Sequence, residues 1–142
     1  GFDAGLYVEF PFRHTAVTHV RDRLAGTFPF VGPRRYHYTD LPPQPREPLE
    51  GVVHPSVQPN WDNTPRSRRR GVVAEGTSPT AFERHLVDAL TREQRRTSNS
   101  DEQLVVIKSW NEWAEGNYVE PDERFGREWL HAIRRAKEQV WL

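Results

Sequence analysis

Apolar positions along this chain change rhythm several times, and each change marks an element. Residues 4–10 carry Leu6, Tyr7, Val8 and Phe10 before Pro11 stops the run, which predicts a short strand. Gly51-Val52-Val53-His54-Pro55-Ser56-Val57 predicts a second strand, and the continuous apolar run within Leu104–Lys108 predicts a third. Between these two the spacing turns helical, with Phe82, Leu86, Ala89 and Leu90 on one face through about Arg95. Ser78 or Thr77 can cap that helix, and Pro79 suits its first turn. From Arg124 to Leu142 a final helix places Trp129, Leu130, Ile133, Ala136 and Val140 on one side. Trp129 and Trp141 are expected in the core.

Residues 11–50 follow neither rhythm. They hold seven of the 12 Pro, with Gly26, Gly32 and basic residues interleaved, and read as a long irregular connection. Tyr36-His37-Tyr38 fits a short helix or an extended piece equally well.

The order of elements, strands alternating with a helix and long loops, argues for a parallel sheet with crossover connections. Polar and aromatic residues follow every strand: Glu9 closes the first, Trp61 and Asp62 follow the second, Glu112 and Glu115 the third. In a (β/α)8 barrel the chemistry gathers on the loops after the C-terminal strand ends. The predicted fold is therefore α/β: the C-terminal portion of a (β/α)8 TIM-type barrel, with about three strands and two main helices. Residues 1–142 then form one incomplete domain. The chain holds no Met and enters its first strand almost directly from Gly1-Phe2-Asp3, so the remainder of the barrel is expected upstream.

Composition narrows the function classes. Lys+Arg and Asp+Glu balance at 20 each, so no global field points to nucleic acid or a membrane surface. No apolar run approaches the roughly 20 residues of a membrane span. Zero Cys excludes disulfides and thiolate metal sites. The six His form no HxH or HxxxH pair, and no phosphate-binding glycine loop is visible, so neither metal nor cofactor is expected. The basic run Arg66-Ser67-Arg68-Arg69-Arg70 reads as a solvated loop in a neutral chain.

The densest chemistry lies in Ser109-Trp110-Asn111-Glu112-Trp113-Ala114-Glu115-Gly116-Asn117-Tyr118-Val119-Glu120-Pro121. It follows an apolar strand and gathers three carboxylates, two indoles and a phenol. Glycosidic chemistry uses one carboxylic acid to protonate the leaving oxygen and a second carboxylate at the anomeric side, with an aromatic face under the sugar. If the turn is helical, Glu112 and Glu115 share a face with Cβ atoms roughly 5–6 Å apart. If it is extended, they point to opposite sides. Candidate substrate-binding residues are Glu9, Trp61, Asp62, Asn63, Trp110, Asn111, Trp113, Tyr118 and Glu120.

These residues resemble a known group. Trp110-Asn111-Glu112-Trp113-Ala114-Glu115-Gly116 followed by Glu120-Pro121-Asp122 is similar to the signature of WbsX-type, glycoside-hydrolase-family-99-like proteins. Gly1-Phe2-Asp3-Ala4 with Val8-Glu9-Phe10-Pro11, and Pro59-Asn60-Trp61-Asp62-Asn63-Thr64-Pro65-Arg66, match in the same order. The resemblance implies a bacterial protein of lipopolysaccharide or polysaccharide biosynthesis, built on the C-terminal part of a barrel, and suggests a cytoplasmic location. More distant relatives are endo-α-mannosidases, which carry Asn-Glu-Trp-His-Glu-Gly where this chain has Asn111–Gly116, and a Pro-Ser-Val-x-Pro segment resembling Pro55–Pro59. By that likeness Glu112 is the base on a sugar 2-hydroxyl and Glu115 the general acid/base. Ala114 stands where the mannosidases have His, which leaves hydrolysis and transfer both open.

Three functions follow as expectations: a retaining glycosidase-like enzyme on an oligosaccharide or polysaccharide, a glycosyltransferase of surface-polysaccharide assembly, or a non-catalytic glycan-binding module. The transferase would need a donor site, and none is visible in the sequence. The isolated 142-residue piece is expected to be inactive.

Overall fold

The computed structural model describes residues 4–7, 16–28, 30–40 and 51–141. In chain order the strands are β1 (Ala4–Tyr7), β2 (Arg34–His37), β3 (Val52–Val57), β4 (Val72–Glu75), β5 (Val106–Ile107), β6 (Asn111–Glu112) and β7 (Asn117–Tyr118). The helices are α1 (Ala16–Thr27), α2 (Thr64–Ser67), α3 (Pro79–Arg96) and α4 (Glu128–Trp141).

The three strands expected from sequence lie in one parallel sheet ordered β1-β3-β5. β5 keeps only Val106 and Ile107 of Leu104–Lys108, and the part of the first run beyond Tyr7 lies outside the described residues. Parallel neighbours need a crossover, and α3 supplies the one between β3 and β5. Ser78 caps it, its Oγ accepting from the Ala81 amide at 3.1 Å. The predicted stripe Phe82, Leu86, Ala89 and Leu90 is buried.

That stripe packs on α4, whose buried positions are Trp129, Ala132 and Ala136. The small Ala residues admit close approach, and Trp129 fills the remaining space edge-on to Phe82 (5.8 Å) and Phe125 (5.3 Å). Leu130, Ile133 and Val140 lie at the margin of this core. Trp141, expected in the core, is 36% exposed, beyond Ala136, the last buried position of α4.

The stretch read as an irregular connection holds regular structure. Ala16–Thr27 is helix and Arg34–His37 is a strand, while residues 41–50 lie outside the described set. Tyr36 and His37 are extended, and Tyr38 begins a 3-10 turn. β2 pairs in parallel with β4, a strand the apolar pattern did not single out. Buried Tyr38 donates its hydroxyl to the Gln58 carbonyl and stacks on His85 at 4.5 Å, tying this second sheet to the end of β3.

One buried carboxylate clamps the β3–α3–β5 unit. Glu93 on α3 accepts from the Leu104 amide at 3.2 Å and from Arg96 Nη2 at 3.0 Å, and His54 Nδ1 on β3 lies 3.0 Å away. Burial alone pushes the Glu93 carboxyl up. The hydrogen bonds from Arg96, His54 and Leu104, together with the Arg96 charge, outweigh it and hold the carboxyl below the usual Glu range. A depressed value stabilises the fold above about pH 4.3 and loses that contribution as pH falls through the folded-state value. Glu93→Gln should lower unfolding free energy at neutral pH by on the order of 3 kcal/mol. Urea melts should also show a flatter acid-side slope than wild type; equal stability at pH 7 would contradict the clamp.

Candidate active site

The parallel pairing of β3 with β5 sets two loops side by side. Lys108 continues the pairing past β5, its amide donating to the Val57 carbonyl at 3.0 Å. The chain then passes a cis peptide between Lys108 and Ser109 and folds into the small β6–β7 hairpin. Ser109 holds the hairpin base: its Oγ accepts from the Glu112 amide at 3.1 Å and donates to the Asn117 carbonyl at 2.8 Å.

Glu112 and Glu115 adopt neither of the two expected geometries. Glu112 ends β6 and flanks a 3-10 turn, Trp113–Glu115, that Gly116 closes in the left-handed region at φ 60°. The two carboxylates therefore straddle one tight turn, in contrasting surroundings. Glu112 is exposed, and its carboxylate has no hydrogen-bond or ion-pair partner among the described residues. The Glu115 side chain is only 12% exposed and is ion-paired to both Arg66 and Lys108, with Lys108 Nζ at 3.3 Å.

The loop after β3 supplies the other wall. The Asp62 amide donates to the Glu115 carbonyl at 2.7 Å, the contact that joins the loops. Asp62 Oδ1 accepts from the Thr64 amide (2.9 Å) and hydroxyl (2.6 Å), a local turn that starts α2. Asn63 braces the loop, its Oδ1 accepting from the Val72 amide at 2.7 Å. Trp61 is buried, and Lys108 Nζ sits 4.8 Å from its ring centroid. Trp61 thus packs beneath the cation that meets Glu115.

The aromatic surface comes from the hairpin. Trp113 stacks on Tyr118 with centroids 3.7 Å apart, and its indole N–H donates to Glu120 Oε2 at 2.7 Å. Trp110 and Trp113 are about half exposed, and Asn111 is exposed beside them. Burial first, then the neighbouring Asp122 carboxylate, push the Tyr118 phenol above its usual value. Burial would raise Asp122 too, but hydrogen bonds from the Phe125 amide, the Trp129 indole and Tyr118 hold it low. Asp122 thereby anchors the hairpin to α4.

The structure thus gathers Trp61, Asp62, Asn63, Trp110, Asn111, Glu112, Trp113, Glu115, Tyr118 and Glu120 around one pair of loops. Glu9 lies outside the described residues. Sequence reasoning missed Lys108 and Arg66 as partners of Glu115. A lysine ending an apolar strand was the available signal for the first. It also missed Asn117, fully buried opposite Glu112, whose side-chain amide has no partner among the described residues. Among those residues no group of three or more His, Asp or Glu could hold a metal ion.

Residues 12–133, which include every candidate except Glu9, match the family described as Glycosyltransferase WbsX. The chain belongs to the WbsX glycosyltransferase family. Its relatives include two proteins of Xanthomonas campestris pv. campestris, each named "Uncharacterized protein WxcX". The one from strain B100 is 35% identical over 140 residues, 96% of this chain and 19% of the relative. The one from strain ATCC 33913 is 40% identical over 87 residues, 60% of this chain and 12% of the relative. The chain thus spans a fifth or less of the length of these curated relatives. No solved structure matches it significantly. The family match covers both the loop after β3 and the acid and aromatic hairpin.

Gly116 occupies a tight junction in this WbsX site. A Cβ there would lie 3.2 Å from the Asp62 amide nitrogen, on backbone that L side chains rarely adopt. Gly116→Ala should cost about 1–2 kcal/mol of stability, measured by denaturant unfolding; an unchanged midpoint would contradict the tight junction.

Proposed function

We propose that this chain carries the catalytic acids of a carbohydrate-active barrel that breaks or exchanges glycosidic bonds with retention. The observation that carries the reading is the contrast between Glu112, exposed and with no partner for its carboxylate among the described residues, and Glu115, held by two cations, beside the Trp113–Tyr118 stack. Carboxylates in unlike environments divide acid and base roles. The parallel order β1-β3-β5, with the acid loop leaving β5, is what a barrel rim would present.

In this reading Glu112 takes the proton of the sugar 2-hydroxyl as that oxygen attacks the anomeric carbon. Glu115 gives a proton to the departing glycosidic oxygen. The resulting anhydro-sugar is opened by water or by an acceptor hydroxyl, with the two proton transfers reversed. Opening by water is hydrolysis; opening by another sugar is transfer. To deliver its proton, Glu115 has to loosen one cation. Arg66, whose side chain is 62% exposed, is the one an incoming substrate can displace, whereas Lys108 is half as exposed and packs on Trp61.

The second reading, transfer from an activated sugar in bacterial polysaccharide assembly, is favoured by membership of the WbsX family. Glu112→Gln and Glu115→Gln in the full-length protein separate these readings. Under the first, each should lower turnover of an oligosaccharide at least about 100-fold. Full turnover by Glu115→Gln would rule that mechanism out. Transfer from a nucleotide- or lipid-linked sugar that survives both substitutions would favour the second.

A further inference from the structure

The loop that presents Arg66 to Glu115 also does something on its other side. After α2 the chain does not continue as helix. Arg68 takes φ 50° and ψ −126°, and Arg68–Arg70 form a 3-10 turn closed by the Gly71 amide on the Arg68 carbonyl at 3.0 Å. A non-glycine residue at positive φ is a local strain of the kind found at ligand-binding turns. Gly71 is required there, since a Cβ would lie 2.9 Å from the Arg68 carbonyl oxygen and 3.0 Å from Thr64 Cα. Asn63 braces the loop, its carbonyl accepting from the Arg66 (3.1 Å) and Ser67 (2.8 Å) amides while its side chain holds Val72.

This turn faces the C-terminal end of α1 across a cleft of about 360 Å³, lined by Ala25, Gly26, Ser67, Arg68, Arg69 and Arg70. That size falls at the lower end of small-ligand sites. Gly26 leaves room for the Arg70 guanidinium, which occupies the space a Cβ would take. Other arginines nearby are matched: Arg34 with Asp22, Arg35 with Glu75, Arg66 with Glu115. The side chains of Arg68, Arg69 and Arg70 have no carboxylate or hydrogen-bond partner among the described residues. The end of α1 offers only about half a negative charge against three positive ones. Charge in the cleft is therefore unbalanced, in a chain whose overall charge is zero.

The geometry points to a binding site for a diphosphate, such as the activated end of a sugar donor. Guanidinium forks match phosphate oxygens in pairs, and three on one turn suit a multiply charged anion. Arg66 and Arg68 are two residues apart, so their Cα atoms are separated by no more than about 8 Å. A diphosphate in the cleft would thus lie on the same short loop that carries Arg66, the partner of Glu115. Its role as a donor site rests on the glycan reading above; its capacity to bind diphosphate does not. In the sequence the run Arg66–Arg70 fits a phosphate or nucleic-acid patch as well as a solvated loop, and the neutral charge of the chain favours the loop; the cleft is visible only in the fold.

Calorimetric titration of the full-length protein with inorganic pyrophosphate should show saturable binding. Arg69→Ala/Arg70→Ala should weaken it at least tenfold, and Arg69→Lys/Arg70→Lys should recover part of the loss with the same thermal midpoint. Glu115→Gln should bind pyrophosphate within about twofold of wild type while losing turnover, so failure of this site and failure of the acid assignment read out separately. Tighter binding of a nucleoside diphosphate than of farnesyl diphosphate, or the reverse, supports the site and identifies which donor class it serves. Absence of saturable pyrophosphate binding, or equal binding by the double Ala variant, would overturn the proposal. So would salt-steep, sequence-independent binding of DNA without competition by pyrophosphate.

Discussion

The organisation of this protein depends on the carboxylate of Glu93. It is almost wholly buried, and it joins three segments: α3 through Arg96, β3 through His54, and the approach to β5 through the Leu104 amide. A buried ion pair of this kind adds little net stability over an apolar substitute, but it is costly to leave incomplete. Its effect is to allow one alignment of helix and strands and to penalise others. With the crossover fixed, β3 and β5 end side by side, and the loops leaving them must meet.

Their meeting point is a single backbone hydrogen bond, Asp62 amide to Glu115 carbonyl, made possible by the bare Cα of Gly116. Around it the structure separates two tasks. Asn63, Asp62, Ser109 and Asp122 spend their polar groups on turns and anchors. Glu112, Trp110 and the Trp113–Tyr118 stack keep exposed surface. A WbsX-family chain therefore presents acids and aromatic faces on a braced support, with Arg66 holding Glu115 from a loop that also lines a cleft with arginines whose side chains have no partner among the described residues.

Legibility followed the range of the signal. α3 and α4 are amphipathic, and the Ser78 cap with Pro79 marks a start, so both could be read from neighbouring residues. α1 carries Val17, Val20 and Leu24 at helical spacing, yet Pro-rich flanks made the whole stretch look irregular. Those residues are exposed, so no core repeats the signal. β2, Arg-Arg-Tyr-His, has no apolar alternation at all; it is a strand because β4 pairs with it. The site shows the same division: Glu112, Glu115, Trp113 and Tyr118 cluster in one stretch of chain, while the bracing of Val72 by Asn63 Oδ1 is visible only in the fold.

The sequence by itself determined three strands, two long helices and the acid–aromatic motif, because periodicity, caps and residue chemistry act over a few neighbouring positions. Tertiary structure alone decided what surrounds each acid. Arg66 and Glu115 are 49 residues apart, and they meet only because parallel strands and their crossover bring two loops to the same edge. Nothing in the spacing of Glu112 and Glu115 distinguishes them. Folding does, by leaving one carboxylate in water and placing the other between two cations.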